Sequence, residues 1–177
     1  MPAALPRLLR DPAVVWGVLV VLVMSSVYAG LYASHIQAGS NDPDRYYHLA
    51  LSRLSSEHGL LRTLLQVEDL GWDKCFPDKE FLFHVLTTLG YRAGGDTGTL
   101  AVIPLLGVAL VLVLYTTLRR EIPPWKAALI TLFPVLITTA FLYRLMLLRP
   151  HVLAILFFCL LLGAILRSSF ARRAPQR

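Results

Sequence analysis

Asp42 and Asp44 stand two residues apart in Asn41-Asp42-Pro43-Asp44, and His48 follows four residues after Asp44. On a helix, that last spacing puts carboxylate and imidazole on one face. Paired carboxylates suit a divalent cation such as Mn²⁺ or Mg²⁺, which takes oxygen ligands, so Asp42 and Asp44 are the expected metal ligands. The same groups suit a general base. The plainer expectation is that Asp42 caps a helix and Asp44 complements its N-terminal dipole. A second cluster, Asp78, Glu80 and His84, repeats the pattern, with Glu80 and His84 four residues apart. There the alternative is a solvated helix start. Arg149 and His151 flank Pro150, with Arg144 upstream. The planar guanidinium of arginine matches the oxygens of a phosphate. The competing expectation for Arg149 is a side chain snorkelling to lipid headgroups.

The elements that must position these groups follow from where charge is absent. Ala13 to Ala33, Leu100 to Leu118 and Trp125 to Tyr143 carry almost no charge apart from Lys126, and a shorter apolar run covers Val152 to Leu166. About 20 helical residues cross a hydrocarbon core of about 30 Å. The chain has 177 residues, 56% of them hydrophobic, and a mean hydropathy of +0.61. These values lie outside the soluble norm. The expected fold is an all-α integral membrane protein with about four transmembrane helices and a helical first outer loop. Its parts are residues 1–33 (cytoplasmic N-terminus and first span), 34–97 (outer loop), 98–166 (three spans) and 167–177 (cytoplasmic basic tail).

The formal net charge of +6 does not point to nucleic acid. Arg7, Arg10, Arg119, Arg120, Lys126, Arg167, Arg172, Arg173 and Arg177 sit in segments that share one side of a four-span chain. The positive-inside rule makes that side cytoplasmic. Both termini are then cytoplasmic and the acid-rich loop lies outside the plasma membrane. The N-terminal run also resembles a signal peptide, but its length favours an uncleaved anchor. Cys75 in the loop and Cys159 in an apolar run fall at different depths, so no disulfide is expected.

Within the loop, Asp42-Pro43 reads as a helix start and His58-Gly59 as its stop. Tyr47, Ala50, Leu51, Leu54 and Leu61 recur at helical spacing, as on a helix along a membrane surface. Trp72 is expected at interface depth. A second helix runs from Asp78 towards Tyr91, and Gly94-Gly95 breaks it before the second span.

This order of pieces resembles the N-terminal part of a GT-C-type membrane glycosyltransferase related to the oligosaccharyltransferase catalytic subunit. The likeness rests on Asn41-Asp42-Pro43-Asp44-Arg45-Tyr46-Tyr47-His48-Leu49, on Phe76 to His84, and on Arg149-Pro150-His151. It implies transfer of a sugar or oligosaccharide from a polyprenyl-phosphate carrier to an acceptor at the outer face. Asp42 would bind a divalent metal or activate the acceptor, with Asp44 and His48 assisting. Arg149 would hold the carrier phosphate, and His151, Tyr47, Glu80 and His84 would line the substrate site. Such enzymes have more spans, so the resemblance implies a partner in the remainder of the enzyme. The other readings of the same residues are a non-enzymatic membrane assembly subunit and part of a transporter.

Overall fold

The structure, a computed structural model, describes residues 11–35, 42–64 and 67–171. The chain is all-helical, with six α-helices among the described residues: α1 (Pro12–His35), α2 (Pro43–His58), α3 (Phe81–Leu118), α4 (Pro124–Ile137), α5 (Thr139–Met146) and α6 (His151–Ala171). One 3₁₀ turn covers Glu68–Leu70. The basic flanks Arg7, Arg10, Arg172, Arg173 and Arg177 lie outside the described residues.

Three helices are long and apolar enough to cross a membrane, within Pro12–Leu31, Phe81–Leu118 and His151–Ser168. They mark a multi-pass membrane protein. The apolar segment expected as the third span is not one helix. α4 has 14 residues, about 21 Å of rise, which is short of a hydrocarbon core of about 30 Å. It ends at Thr138, whose backbone is extended (φ −104°, ψ 97°), and Pro134 lies inside it. Proline has no N–H, so the helical ladder loses a bond one turn before the break.

The chain divides into two compact units. The apolar unit comprises Met1–Ala38, Pro104–Met146 and His151–Arg177. Its α1 starts on Asp11, whose carboxylate accepts the Ala13 amide at 2.8 Å. Val20, Met24 and Tyr28 recur every four residues on α1 and are buried. α1 runs antiparallel to the C-terminal part of α3. Tyr115 packs on Gly17 and donates to the Ala13 carbonyl at 2.6 Å, while Tyr28 packs on Gly107. Tyr28 also donates to the Leu145 carbonyl at 3.0 Å. Those hydroxyls satisfy backbone oxygens where lipid offers no water. Leu22, Phe133, Phe158 and Leu161 are exposed, as lipid-facing side chains should be.

The loop unit comprises Gly39–Ile103 with Leu147–Pro150. α2 begins and ends where its sequence signals fall. The Asp42 carboxylate accepts the Asp44 amide at 3.3 Å, Pro43 opens the helix, and Gly59 leaves it at φ 80°. Its apolar face meets Leu64 and Phe76 through Leu51, with Leu54, Leu61, Val67 and Trp72 packed around them. Trp72 is thus partly buried in this small core, edge-on to Phe76. The loop between is pinned by the Leu64 amide on the Trp72 carbonyl (2.7 Å) and the Phe76 amide on the Arg62 carbonyl (2.8 Å).

α3 is two limbs, 81–93 and 96–118, joined by non-helical backbone at Gly94 (φ −162°) and Gly95 (φ 60°). The limbs fold back on each other at Gly90 and Gly98. A Cβ on Gly90 would lie 2.6 Å from the Gly98 carbonyl oxygen. The Thr99 hydroxyl donates to the Thr87 carbonyl across this contact, at 3.4 Å. Glycines at both positions let the two backbones approach. His84, on the first limb, meets α2 through the His48 ring.

Candidate functional site

The start of α2 and the start of α3, with the segment leading into it, supply the candidate side chains of the loop unit. α2 presents Asp42, Asp44, Tyr47 and His48. The segment entering α3 presents Asp78, Glu80 and His84. Leu147–Pro150 brings Arg149 into the same unit.

Arg149 joins the two aspartates. Its Nη2 lies 2.9 Å from Asp42 Oδ1 and 2.9 Å from Asp44 Oδ2. The Asp42 side chain is 11% exposed, that of Asp44 51%, and that of Arg149 38%. Asp42 Oδ2 is buried and has no hydrogen-bond partner among the described residues. So Asp42 caps α2, holds Arg149 and keeps one acceptor in reserve. Between the two carboxylates, where a divalent ion was expected, stands the Arg149 guanidinium, which offsets one of their two negative charges.

The histidines form a separate group. His48 Nδ1 and His84 Nε2 are 2.9 Å apart, and His84 Nδ1 is 2.8 Å from Asp78 Oδ1. Glu80 Oε2 lies 3.8 Å from His48 Nε2 and 3.9 Å from His84 Nε2. Both rings are buried, at 2% and 4% exposure. Side-chain hydroxyls from the next turn satisfy the carbonyls of their own residues, Ser52 on His48 and Thr88 on His84, each at 2.6 Å. Phe83 and Tyr47 pack edge-on against the His48 ring. Burial pushes the His48 imidazole down to about 4, helped by His84 and Arg149 and opposed by Asp44 and Asp42. Desolvation disfavours the charged ring, so His48 is neutral at neutral pH. Tyr47 is pushed up, by burial first and then by Asp78 and Glu80.

The expected pairings therefore change partners. Asp44 turns to Arg149, and His48 turns to His84, 36 positions along the chain. Glu80 and His84 do share a face, joined by Asp78, which also accepts the Glu80 amide at 3.0 Å. His151 belongs to the apolar unit, where its Nε2–H donates to the Arg144 carbonyl at 2.6 Å. A cavity of about 210 Å³ adjoins the group, lined by Leu51, Phe76, Phe81 and Leu89 with Asp78 and His84 at its polar side. The sequence held no local sign of the Arg149–Asp42 pair. Its only trace was an arginine in a segment expected on the outer side, where arginine is scarce.

Comparison with protein-family models, with curated proteins and with solved structures finds no match for this chain.

Proposed function

We propose that this chain is the N-terminal, catalytic-loop part of a GT-C-type membrane glycosyltransferase. It would move a sugar or oligosaccharide from a polyprenyl-phosphate carrier to an acceptor at the outer face of the plasma membrane. Four spans with both termini cytoplasmic would leave the loop unit outside, with α4 and α5 together making the third crossing. The observation that carries this reading is the meeting of Arg149 with Asp42 and Asp44 in one unit.

Breaking a glycosidic bond to a carrier phosphate leaves negative charge on the phosphate. A guanidinium fixed in advance stabilises that charge as it develops. Asp42 and Asp44 hold the Arg149 fork in place. An arriving phosphate would displace Asp44, which is half exposed, and leave the buried Asp42 attached. The spare Asp42 Oδ2 would take the proton of the attacking acceptor group. No step in this scheme passes through a metal at the aspartates.

The test is retention of carrier lipid. Protein purified in mild detergent is extracted and its lipids are weighed by mass spectrometry. Polyprenyl phosphate should accompany the wild type and Arg144→Lys. It should fall about tenfold in Arg149→Lys, which keeps the charge and loses the planar fork. Equal retention by all three proteins would reject Arg149 as the phosphate ligand and the donor class with it.

A further inference from the structure

We propose that His48, Glu80 and His84 form a binding site for a divalent transition-metal ion of the zinc class, with Asp78 orienting His84. The site is distinct from the Asp42–Arg149–Asp44 group and does not rest on the glycosyl-transfer reading.

The donor atoms are close enough to share one ion. One ligand atom from each of the three residues lies within 4.8 Å of the others. Tetrahedral zinc, with bonds of about 2.0–2.1 Å, separates its ligand atoms by about 3.4 Å. With His48 Nε2 as its ligand atom, Glu80 Oε2 lies 3.8 Å from it and 3.9 Å from His84 Nε2, within about half an ångström of that value. Two imidazoles and one carboxylate are a borderline donor set, suited to zinc and its neighbours rather than to magnesium or calcium. Three protein ligands also leave a fourth position for water or substrate.

The hydrogen-bond pattern leaves a place for a cation. A carboxylate only accepts, so His84 Nδ1–H donates to Asp78. With both rings neutral, His84 Nε2 then carries a lone pair and His48 Nδ1–H must donate to it. That leaves the His48 Nε2 lone pair facing the Glu80 carboxylate, 3.8 Å away. Two acceptors meet with no donor between them, beside buried rings. An ion held by His48 Nε2, His84 Nε2 and Glu80 Oε2 would bring positive charge to these acceptors, taking the place of the His48–His84 hydrogen bond. The Asp78–His84 bond is already the carboxylate–histidine contact that fixes the tautomer of a metal-bound ring. The burial that keeps His48 neutral also keeps it competent to ligate.

The cost of holding these histidines apart from water has no other evident return in the packing. An apolar pair would fill the same space without a hydrogen-bond chain. The cavity beside His84 and Asp78 gives an ion and its fourth ligand a way in.

The experiment uses the whole chain in detergent, stripped with a chelator. Zn²⁺ binding is measured by equilibrium dialysis, and Co²⁺ binding by its ligand-field absorption. One ion per chain is expected, with the intense spectrum of a tetrahedral site. Glu80→Gln, nearly the same shape, should weaken binding by about 100-fold, and Asp78→Asn by about 10- to 100-fold. His58→Ala and Asp69→Asn, at exposed positions, should bind like wild type. Zinc should also raise the thermal midpoint of the wild type, as any ligand of the folded state does. X-ray absorption on the zinc-loaded wild type should show two imidazoles and oxygen, a readout that needs no variant to fold. Substoichiometric retention, Glu80→Gln binding unchanged, or an absorption spectrum without imidazole would each overturn the site. Loss of binding in Asp42→Asn with Glu80→Gln unaffected would also overturn it, by placing the ion at the aspartates.

Discussion

Replacing Arg149 by alanine leaves two carboxylates facing each other without their cation. The cost falls mainly on Asp42, whose side chain is 11% exposed, rather than on Asp44 at 51%. At the observed 2.9 Å and an effective dielectric constant of about 20, an ion pair attracts by roughly 6 kcal/mol. Desolvation of both charges offsets much of this. Arg149 is 38% exposed, so solvent screens part of the remainder. A hydrogen bond to a charged group contributes about 1.5–3 kcal/mol net. Arg149→Ala should therefore destabilise the protein by about 2 kcal/mol, a fall of roughly 4–8 °C in unfolding midpoint at this chain length. Asp42→Asn in the Arg149→Ala background should recover at least half of that loss. No charge is then left buried, and asparagine caps a helix about as well as aspartate. The assay is thermal unfolding in detergent followed by tryptophan fluorescence, with Trp72 reporting from the same unit. A double-mutant cycle should give a coupling of about 1 kcal/mol or more. Strictly additive effects would refute the pairing. The variant has a second signature: two carboxylates freed of their guanidinium should bind a hard cation. Millimolar Mg²⁺ should raise the midpoint of Arg149→Ala and leave the wild type unmoved.

The Gly90–Gly98 approach predicts a sharp contrast between neighbouring glycines. Gly90→Ala, whose Cβ would meet the Gly98 carbonyl at 2.6 Å, should cost about 1–3 kcal/mol in thermal unfolding. Gly94→Ala, which meets nothing within 4 Å, should be nearly neutral, and equal losses would deny the close contact. His48 has a folded pKa near 4 against an ordinary 6.5, among His84, Glu80, Asp44, Asp42 and Arg149. A depressed folded value means stability that is complete above the ordinary pKa and is lost as pH falls towards the folded one. In chelator-treated protein the midpoint should decline between those two values, by up to roughly 3 kcal/mol in total. His48→Gln should flatten that decline, and an unchanged pH profile would assign it elsewhere. Cys75 is exposed in the loop unit, so a membrane-impermeant thiol reagent should label it in intact cells, with Cys75→Ser as the blank. Labelling only after lysis would invert the orientation.

The legible parts of the fold were those fixed by local chemistry. Asp42-Pro43 and Gly59 delimit α2 because a cap, a pre-set φ and a glycine stop at positive φ each act within one turn. Gly94-Gly95 marked the break inside α3 for the same reason. The fold-back of its limbs depends on Gly90 and Gly98 meeting, and nothing in either glycine's own neighbourhood announces a partner eight positions away. Trp125 to Tyr143 read as one span because hydropathy counts apolar residues and is indifferent to backbone hydrogen bonds. Pro134 and Thr138 divide it without lowering its hydropathy much. Trp72 looked like an interface anchor by residue type, and its packing against Phe76 is a tertiary contact that type alone does not predict.

The candidate site separates along the same line. Four-residue spacing named Asp44, His48, Glu80 and His84, because such intervals put side chains on one face, and the Asp-Pro-Asp pair added Asp42. It did not name their partners, since sharing a face is permission to interact and not a reason to do so. Asp44 and His48 were free to pair, but the guanidinium of Arg149 offers Asp44 a full charge at 2.9 Å, which a neutral buried imidazole cannot match. His48, excluded from water, needs a partner that does not demand its ionisation, and the ring of His84, 2.9 Å away, is one. Charge thus sorts the five residues and Arg149 into two groups. The aspartates collect around a fixed cation, and the histidines collect around a carboxylate with their lone pairs still to satisfy. The zinc-class ion proposed above belongs with the second group on that reasoning, because a fixed cation already stands between the aspartates.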